Sequence, residues 1–139
     1  MTARWEHFSH EADMGLRGYG ATQAQAFEQV ALALTATVTD LHRVRSSQCV
    51  TIECEGEDRE LLLVDWLNAL VFEMATRRML FSRFEVRFVD RRLLGKAWGE
   101  AINRERHSPA VEVKGATYTA LKVAQLANGE WLAQCVIDV

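Results

Sequence analysis

Two stretches of the chain carry apolar residues at helical spacing. The second, residues 59–77, is apolar on almost every side and follows Asp58, a good N-cap, so we expect an interior helix. A buried Asp65 within it would need a partner, either a structural hydrogen bond or a role in supporting a functional site. The first stretch predicts an amphipathic helix with a capping-box start at Thr22 and Gln25 and an apolar face of Phe27, Val30, Ala31, Leu34, Val38 and Leu41.

Alternating apolar and polar residues predict several strands. Residues 9–20 and 103–110 are polar enough to be interpreted as loops, and Asn128-Gly129 favours a type I′ hairpin before the last strand. The pattern therefore predicts one α+β domain over residues 1–139, with two helices packed on a largely antiparallel β-sheet. The predicted strands are 4–8, 50–55, 84–88, 94–102, 121–126 and 131–138.

Composition narrows the class of protein. The chain is 49% hydrophobic and 25% charged, which is ordinary for a soluble protein, and no apolar run is long enough for a membrane span. The net charge of −3 argues against coating nucleic acid by charge alone, although arginines between residues 77 and 106 suit either a solvated strand or an acidic or RNA-containing partner. Three cysteines without metal-motif spacing (Cys49, Cys54 and Cys135) predict free, buried thiols in a reducing cytoplasm.

The end of the chain offers the clearest candidate chemistry. Asp138 and the terminal carboxylate of Val139 are consecutive, and a strand leads directly to them. If Asp13 came close, three hard oxygen ligands would suit Ca²⁺ or another divalent cation. The alternative is that Asp13 caps a turn beside Gly15 and that the terminus is simply exposed. Lys114 is either a solvated strand lysine or a contact for an anion.

Several segments, in order along nearly the whole chain, resemble the archease family. Thr119, where many members have His, and Asn103-Arg104, where Asp-Pro is common, depart from its pattern, so no role is transferred to those two positions. The matching segments are His10 to Arg17, Ala26 to Glu28, Ala31 to Leu34, Leu63 to Asn68, Leu80 to Val86, Gly99-Glu100, Glu105 to His107, Glu112 to Tyr118 and Val136 to Val139.

The resemblance implies a cytosolic accessory protein rather than an enzyme. It would activate an RtcB-type RNA ligase by promoting guanylylation of the ligase histidine, allowing multiple turnover in tRNA splicing and RNA repair. RNA would be contacted only through the ligase. The resemblance also implies a calcium site at Asp13, Asp138 and Val139, and we expect a partner-facing surface of His10, Asp65, His107 and Lys114.

Two other functions remain open at this point. A metal-dependent enzyme acting on RNA or nucleotides could use Asp13, Asp65 and Asp138 as ligands, with Lys114 or His107 as the acid–base group. A direct RNA-binding module could use the arginine-rich strands, although the net acidic charge counts against it. No P-loop, nucleophile elbow or dinucleotide fingerprint is present.

Overall fold

The computed structural model describes residues 2–139 and contains two antiparallel sheets packed with two long helices. The first sheet has the order β1-β2-β8, with β6 and β7 both pairing with the far edge of β8; the second has the order β3-β5-β4. The predicted α+β class is confirmed, with the sheet divided in two. The elements are β1 (Arg4–His10), β2 (Asp13–Gly20), α1 (Gln23–Val38), β3 (Gln48–Glu55), α2 (Arg59–Arg77), β4 (Met79–Val89), β5 (Arg92–Ala101), α3 (Arg104–His107), β6 (Gly115–Ala116), β7 (Lys122–Gln125) and β8 (Trp131–Asp138).

The predicted start of α1 is confirmed. The Thr22 hydroxyl accepts a hydrogen bond from the Gln25 N–H at 3.1 Å, while the Gln25 side chain reaches back to the Ala21 N–H at 2.8 Å. Two of the N–H groups around the helix start are thereby satisfied. The apolar face of α1, including the fully buried Phe27 and Leu34, then forms the centre of the core between the sheets.

Helix α2 begins after Asp58, as predicted, because its carboxylate accepts hydrogen bonds from the N–H groups of the first turn. Trp66 anchors the helix: its ring is fully buried and its Nε1–H donates to the Phe27 carbonyl at 3.1 Å. The prediction of an interior helix is wrong for one stripe, however. Four side chains spaced as one helical face are exposed to solvent, so Asp65 is not a buried carboxylate: Leu61, Asp65, Asn68 and Phe72.

Residues 9–20, expected to be a loop, form most of a β-hairpin. β1 pairs with β2 around the two residues Glu11 and Ala12. The glycines of β2 serve close packing rather than a loop: a Cβ on Gly15 would lie 2.3 Å from the Phe8 ring, and one on Gly18 would lie 2.3 Å from the Ala26 carbonyl of α1. β2 can approach α1 closely at Gly18 because glycine has no side chain.

The last hairpin is confirmed, but its turn differs from the predicted type I′. The Gly129 N–H donates to the Leu126 carbonyl at 2.9 Å, and the Leu126 N–H donates to the Glu130 carbonyl at 2.8 Å. Gly129 has φ 90°, whereas Asn128 has no positive φ. This is the three-residue loop in which a type I turn is followed by a left-handed glycine.

Helix side chains accept hydrogen bonds from N–H groups at one edge of each sheet. Asn68 Oδ1 of α2 accepts from the Ala116 N–H at 2.8 Å, and Glu60 Oε2 accepts from the Val123 N–H at 3.2 Å. Glu28 of α1 does the same for Val86 of β4, and burial raises the pKa of this carboxyl. Edge N–H groups are thereby kept from pairing with other chains, and β6 is held beside α2.

Candidate functional site

Three polar side chains form a row across one end of the first sheet. His10 faces Asp13 in the β1–β2 ladder. Met14 faces Ile137 in the β2–β8 ladder, so the same register places Asp13 opposite Asp138 one position further on. Directly opposed residues share a face, so the register places these three residues on the same face of the sheet. We call His10, Asp13 and Asp138 the carboxylate row.

The row lies on the outer face of the sheet. Gly18 of β2 packs directly against α1. Successive residues of a strand alternate between faces, so Asp13, five positions earlier, lies on the face turned away from α1. Asp13 is half-buried and Asp138 is exposed. A molecule in solution can therefore approach the row.

The electrostatics of the row fit a bound cation. Within residues 2–139, neither Asp13 nor Asp138 has an ion-pair partner closer than 4.0 Å. Two like charges on directly opposed residues destabilise a sheet, and their Cβ atoms are about 4.5–5.5 Å apart, close enough to share an ion. Carboxylate oxygens are the ligands that Ca²⁺ prefers. The donor set therefore suits the divalent cation expected from the sequence.

The row supplies only two of the side chains that such an ion needs. In the described part of the chain, no three His, Cys, Asp or Glu side chains cluster closely enough to hold a metal. Further oxygens would come from water and the main chain, and Val139, whose carboxylate was predicted as a ligand, follows Asp138 directly and packs against the core. Asp65 does not join Asp13 and Asp138, so the three-aspartate site required by the metalloenzyme alternative does not form.

Lys114 immediately precedes β6, and Asp65 lies on the exposed stripe of α2. The Lys114 N–H donates to the Asp138 carbonyl at 2.8 Å, and the Lys114 side chain is exposed. Asn68 holds β6 against α2, and Asp65 lies one turn earlier on the same exposed stripe. Burial, followed by the negative charge of Asp65, raises the pKa of Cys54 on β3 to about 11. The backbone of Lys114 therefore adjoins Asp138, whereas Asp65 lies close enough to Cys54 on β3 to raise its pKa.

His107 is not on a partner-facing surface. The expected loop contains a one-turn helix, α3, capped by Asn103, and the His107 ring is only 1% exposed. The Asn103 N–H donates to Nδ1 at 2.9 Å, so Nε2 carries a proton and donates to Glu100 Oε2, also at 2.9 Å. Both ring nitrogens are engaged inside the fold, which removes His107 from the predicted contact surface and from an acid–base role.

Glu100 is the centre of this second polar cluster, the Glu100 cluster, formed by Glu100, Arg106 and His107. Its carboxylate accepts hydrogen bonds from the Arg45 N–H at 2.8 Å, from His107, and from Arg106 Nη2 at 2.6 Å. These hydrogen bonds lower the pKa of Glu100 from 4.5 to about 2, and the bond from the Arg45 N–H has the largest effect. Burial acts in the opposite direction and raises this pKa. The cluster ties β5, α3 and the segment before β3 together.

Known proteins resemble this chain over its whole length. Residues 5–139 match the model of the Archease protein family. The chain belongs to the archease family. It is 40% identical to protein archease of Pyrococcus furiosus, with 98% of this chain and 99% of that protein covered, and 37% identical to protein archease of Methanopyrus kandleri, with 97% and 99% covered.

Solved structures of archeases share the fold. The solution structure of Methanobacterium thermoautotrophicum protein 1598 superposes with a TM-score of 0.85 at 34% identity, covering 97% of this chain and 98% of that one. The crystal structure of a Thermotoga maritima archease, described as a "possible chaperone", has a TM-score of 0.63 at 15% identity, covering 95% and 94%. At that identity the second match supports the fold alone.

Two further expectations can be compared with the structure. No helix within residues 2–139 is long and apolar enough to cross a membrane. The three cysteines are free, as predicted, but only Cys135 is buried, while Cys54 is half-buried and Cys49 is exposed. Burial raises the pKa of the Cys135 thiol to about 11, so it remains protonated.

Proposed function

We propose that this archease is an activator of an RtcB-type RNA ligase rather than a ligase or a nuclease. It would promote guanylylation of the ligase histidine and so allow repeated turnover in tRNA splicing and RNA repair, contacting RNA only through the ligase. The observation that carries the proposal is the carboxylate row, in which the half-buried Asp13 lies opposite the exposed Asp138 and neither has an ion-pair partner within residues 2–139, in a member of the archease family.

The carboxylate row could act at the active site of another protein. A divalent cation held there, Ca²⁺ by the choice of ligands, would supply positive charge beside the phosphates of a nucleotide. Asp13, Asp138 and the Val139 carboxylate would hold the ion, while the exposed Lys114, bonded through its backbone to Asp138, adds a mobile cation to the same edge. His10, opposite Asp13, completes the surface turned toward the ligase.

The metalloenzyme alternative has less support. It required Asp65 beside Asp13 and Asp138 and either Lys114 or His107 as the acid–base group. Asp65 does not cluster with Asp13 and Asp138, and both ring nitrogens of His107 are hydrogen-bonded within the fold. Lys114 is therefore the remaining candidate for the acid–base group. A surface with so few candidate catalytic groups is more typical of an accessory protein than of an enzyme.

Transfer of label from GTP to the purified ligase tests the proposal. With a divalent cation present, an equimolar amount of this protein should accelerate formation of the ligase–guanylate and convert a single round of joining into repeated turnover. Ligase that is already guanylylated should complete its first round at the same rate with or without it. Equal rates of label transfer would contradict the proposal, and GTP turnover by this protein alone would favour the metalloenzyme.

Calorimetric titration with Ca²⁺ tests the ion separately. Asp13→Ala and Asp138→Ala should each lose binding, because each removes one of two side-chain ligands, and a C-terminal amide should weaken it. Glu55→Ala, an exposed carboxylate on β3, is the matched control and should bind like the wild type. Unchanged affinity in both aspartate variants would remove the ion from the proposal without affecting the activator role.

A further inference from the structure

A cavity of about 720 Å³ is lined by none of the residues of the carboxylate row. It is formed where the ends of α1 and α2 meet residues 109–113, the segment that leads directly to Lys114. Its apolar lining includes two of the five large apolar side chains that are exposed in the described chain, Ile102 and Val111, each 38% exposed. We call it the 109–113 groove; its apolar lining also includes Val38, Met74, Met79 and Leu80.

The rim of the 109–113 groove carries unbalanced positive charge. Arg78 and Arg104 both line it and are exposed, and within residues 2–139 neither has an ion-pair partner. Glu112 is the one acidic residue in the lining. An occupant that places an apolar group on the floor and a carboxylate at the rim would therefore be favoured over a basic or purely apolar one.

The backbone of the groove favours a peptide over a small molecule. The N–H groups of Val111, Glu112 and Val113 donate to no acceptor in the described chain, whereas those of Ala110 and Lys114, on either side, are both bonded. A peptide lying along this segment could accept from these free groups, as in strand addition. The methionines at the floor, Met74 and Met79, adapt to apolar side chains of different shapes.

We propose that the 109–113 groove is the anchoring site for an acidic peptide segment of the partner protein, with an apolar side chain inserted and a carboxylate paired to Arg78 and Arg104. This inference rests on the proposed function for the identity of the partner, the RtcB-type ligase. The groove would supply affinity, and the adjoining carboxylate row would supply the acceleration. Binding in the groove places the partner next to Lys114 and Asp138.

The test separates affinity from acceleration. The rate of label transfer from GTP to the ligase is measured as a function of the concentration of this protein. The doubly substituted Arg78→Glu, Arg104→Glu protein should need at least about tenfold more protein for half-maximal acceleration, with the wild-type rate recovered at saturation. Val111→Asp should likewise raise the concentration needed for half-maximal acceleration, with the wild-type rate recovered at saturation. The matched control is Arg87→Glu on the outer face of the second sheet, an exposed arginine without an ion-pair partner.

The outcomes distinguish the two proposals. A half-maximal concentration for the double variant equal to that of Arg87→Glu overturns the anchoring site. A wild-type protein that binds the ligase by calorimetry without accelerating it refutes the proposed function, and the groove is then judged by whether the double variant loses that binding. No binding at all refutes both. If gel filtration shows a dimer that Val111→Asp dissociates without affecting acceleration, a second copy occupies the groove and the proposal is wrong.

Discussion

The carboxylate row and the Glu100 cluster are both built from acidic and basic side chains, yet they are arranged in opposite ways. In the Glu100 cluster, one carboxylate receives three hydrogen bonds and is 9% exposed. In the row, the half-buried Asp13 lies opposite the exposed Asp138, and neither has an ion-pair partner in the described chain. A buried carboxylate whose hydrogen bonds are satisfied stabilises the fold, whereas a solvent-accessible pair without ion-pair partners is available to a ligand or a partner.

The comparison reassigns one sequence motif. Glu105-Arg106-His107 belongs to the segments that resemble the archease family, and the sequence predicts His107 on the same partner-facing surface as His10. In the structure, His107 has both nitrogens bonded within the fold. A resemblance therefore identifies residues of importance without separating those that fold the protein from those that act on other molecules.

The largest expected effect is on stability. Glu100→Ala removes the acceptor for the Arg45 N–H, for Arg106 and for His107, so it should lower the free energy of unfolding by about 3 kcal/mol. Urea denaturation followed by tryptophan fluorescence measures it, with the exposed Glu105→Ala as the control. If Asp138→Ala proved as destabilising as Glu100→Ala, the two regions would not differ as described.

The stability contributed by the Glu100 cluster should also depend on pH. Because the pKa of Glu100 is lowered on folding, its contribution to stability is fully present above its unfolded pKa of 4.5 and is lost as the pH falls toward about 2. The free energy of unfolding measured between pH 6 and pH 2.5 should therefore fall less steeply in Glu100→Gln than in the wild type below pH 4.5. Parallel curves for the two proteins would mean that Glu100 does not contribute this pH dependence.

The smallest expected effect concerns the row itself. Without calcium, Asp138→Asn should leave the free energy of unfolding within about 0.5 kcal/mol of wild type or raise it slightly, because it removes a like-charge pair. With Ca²⁺ at a hundred times its dissociation constant, the wild type should gain about 2.7 kcal/mol, and the variant should gain much less. Thermal melting with and without calcium measures both. An equal calcium response in the variant would show that the ion binds elsewhere.

Local signals in the sequence located most elements. Asp58 and Thr22 placed the helix starts because capping depends on neighbouring residues alone. The prediction of a loop over residues 9–20 was wrong because the three glycines of β2 are typical of loops, and the close packing that requires Gly15 and Gly18 is visible only in the structure. Asp65 also misled: the apolar run around it predicts burial, but α2 has one side that no other element covers.

The candidate site could be predicted only in part, because local sequence signals identify residue types but not which strands lie side by side. The facing of Asp13 and Asp138 follows from the β2–β8 register, which no local pattern reveals, although their residue types already indicated an oxygen site. The 109–113 groove had no comparable signal. It joins the ends of two helices to a segment without regular structure, so its residues come together only in the folded chain.

The most direct test is the rate of label transfer from GTP to the ligase with saturating Asp138→Ala protein, compared with saturating wild type and with ligase alone. We expect Asp138→Ala to remain folded, with a cooperative melt, and to give a rate close to that of the ligase alone. Acceleration by folded Asp138→Ala equal to that of the wild type would contradict the claim that the carboxylate row carries the activity.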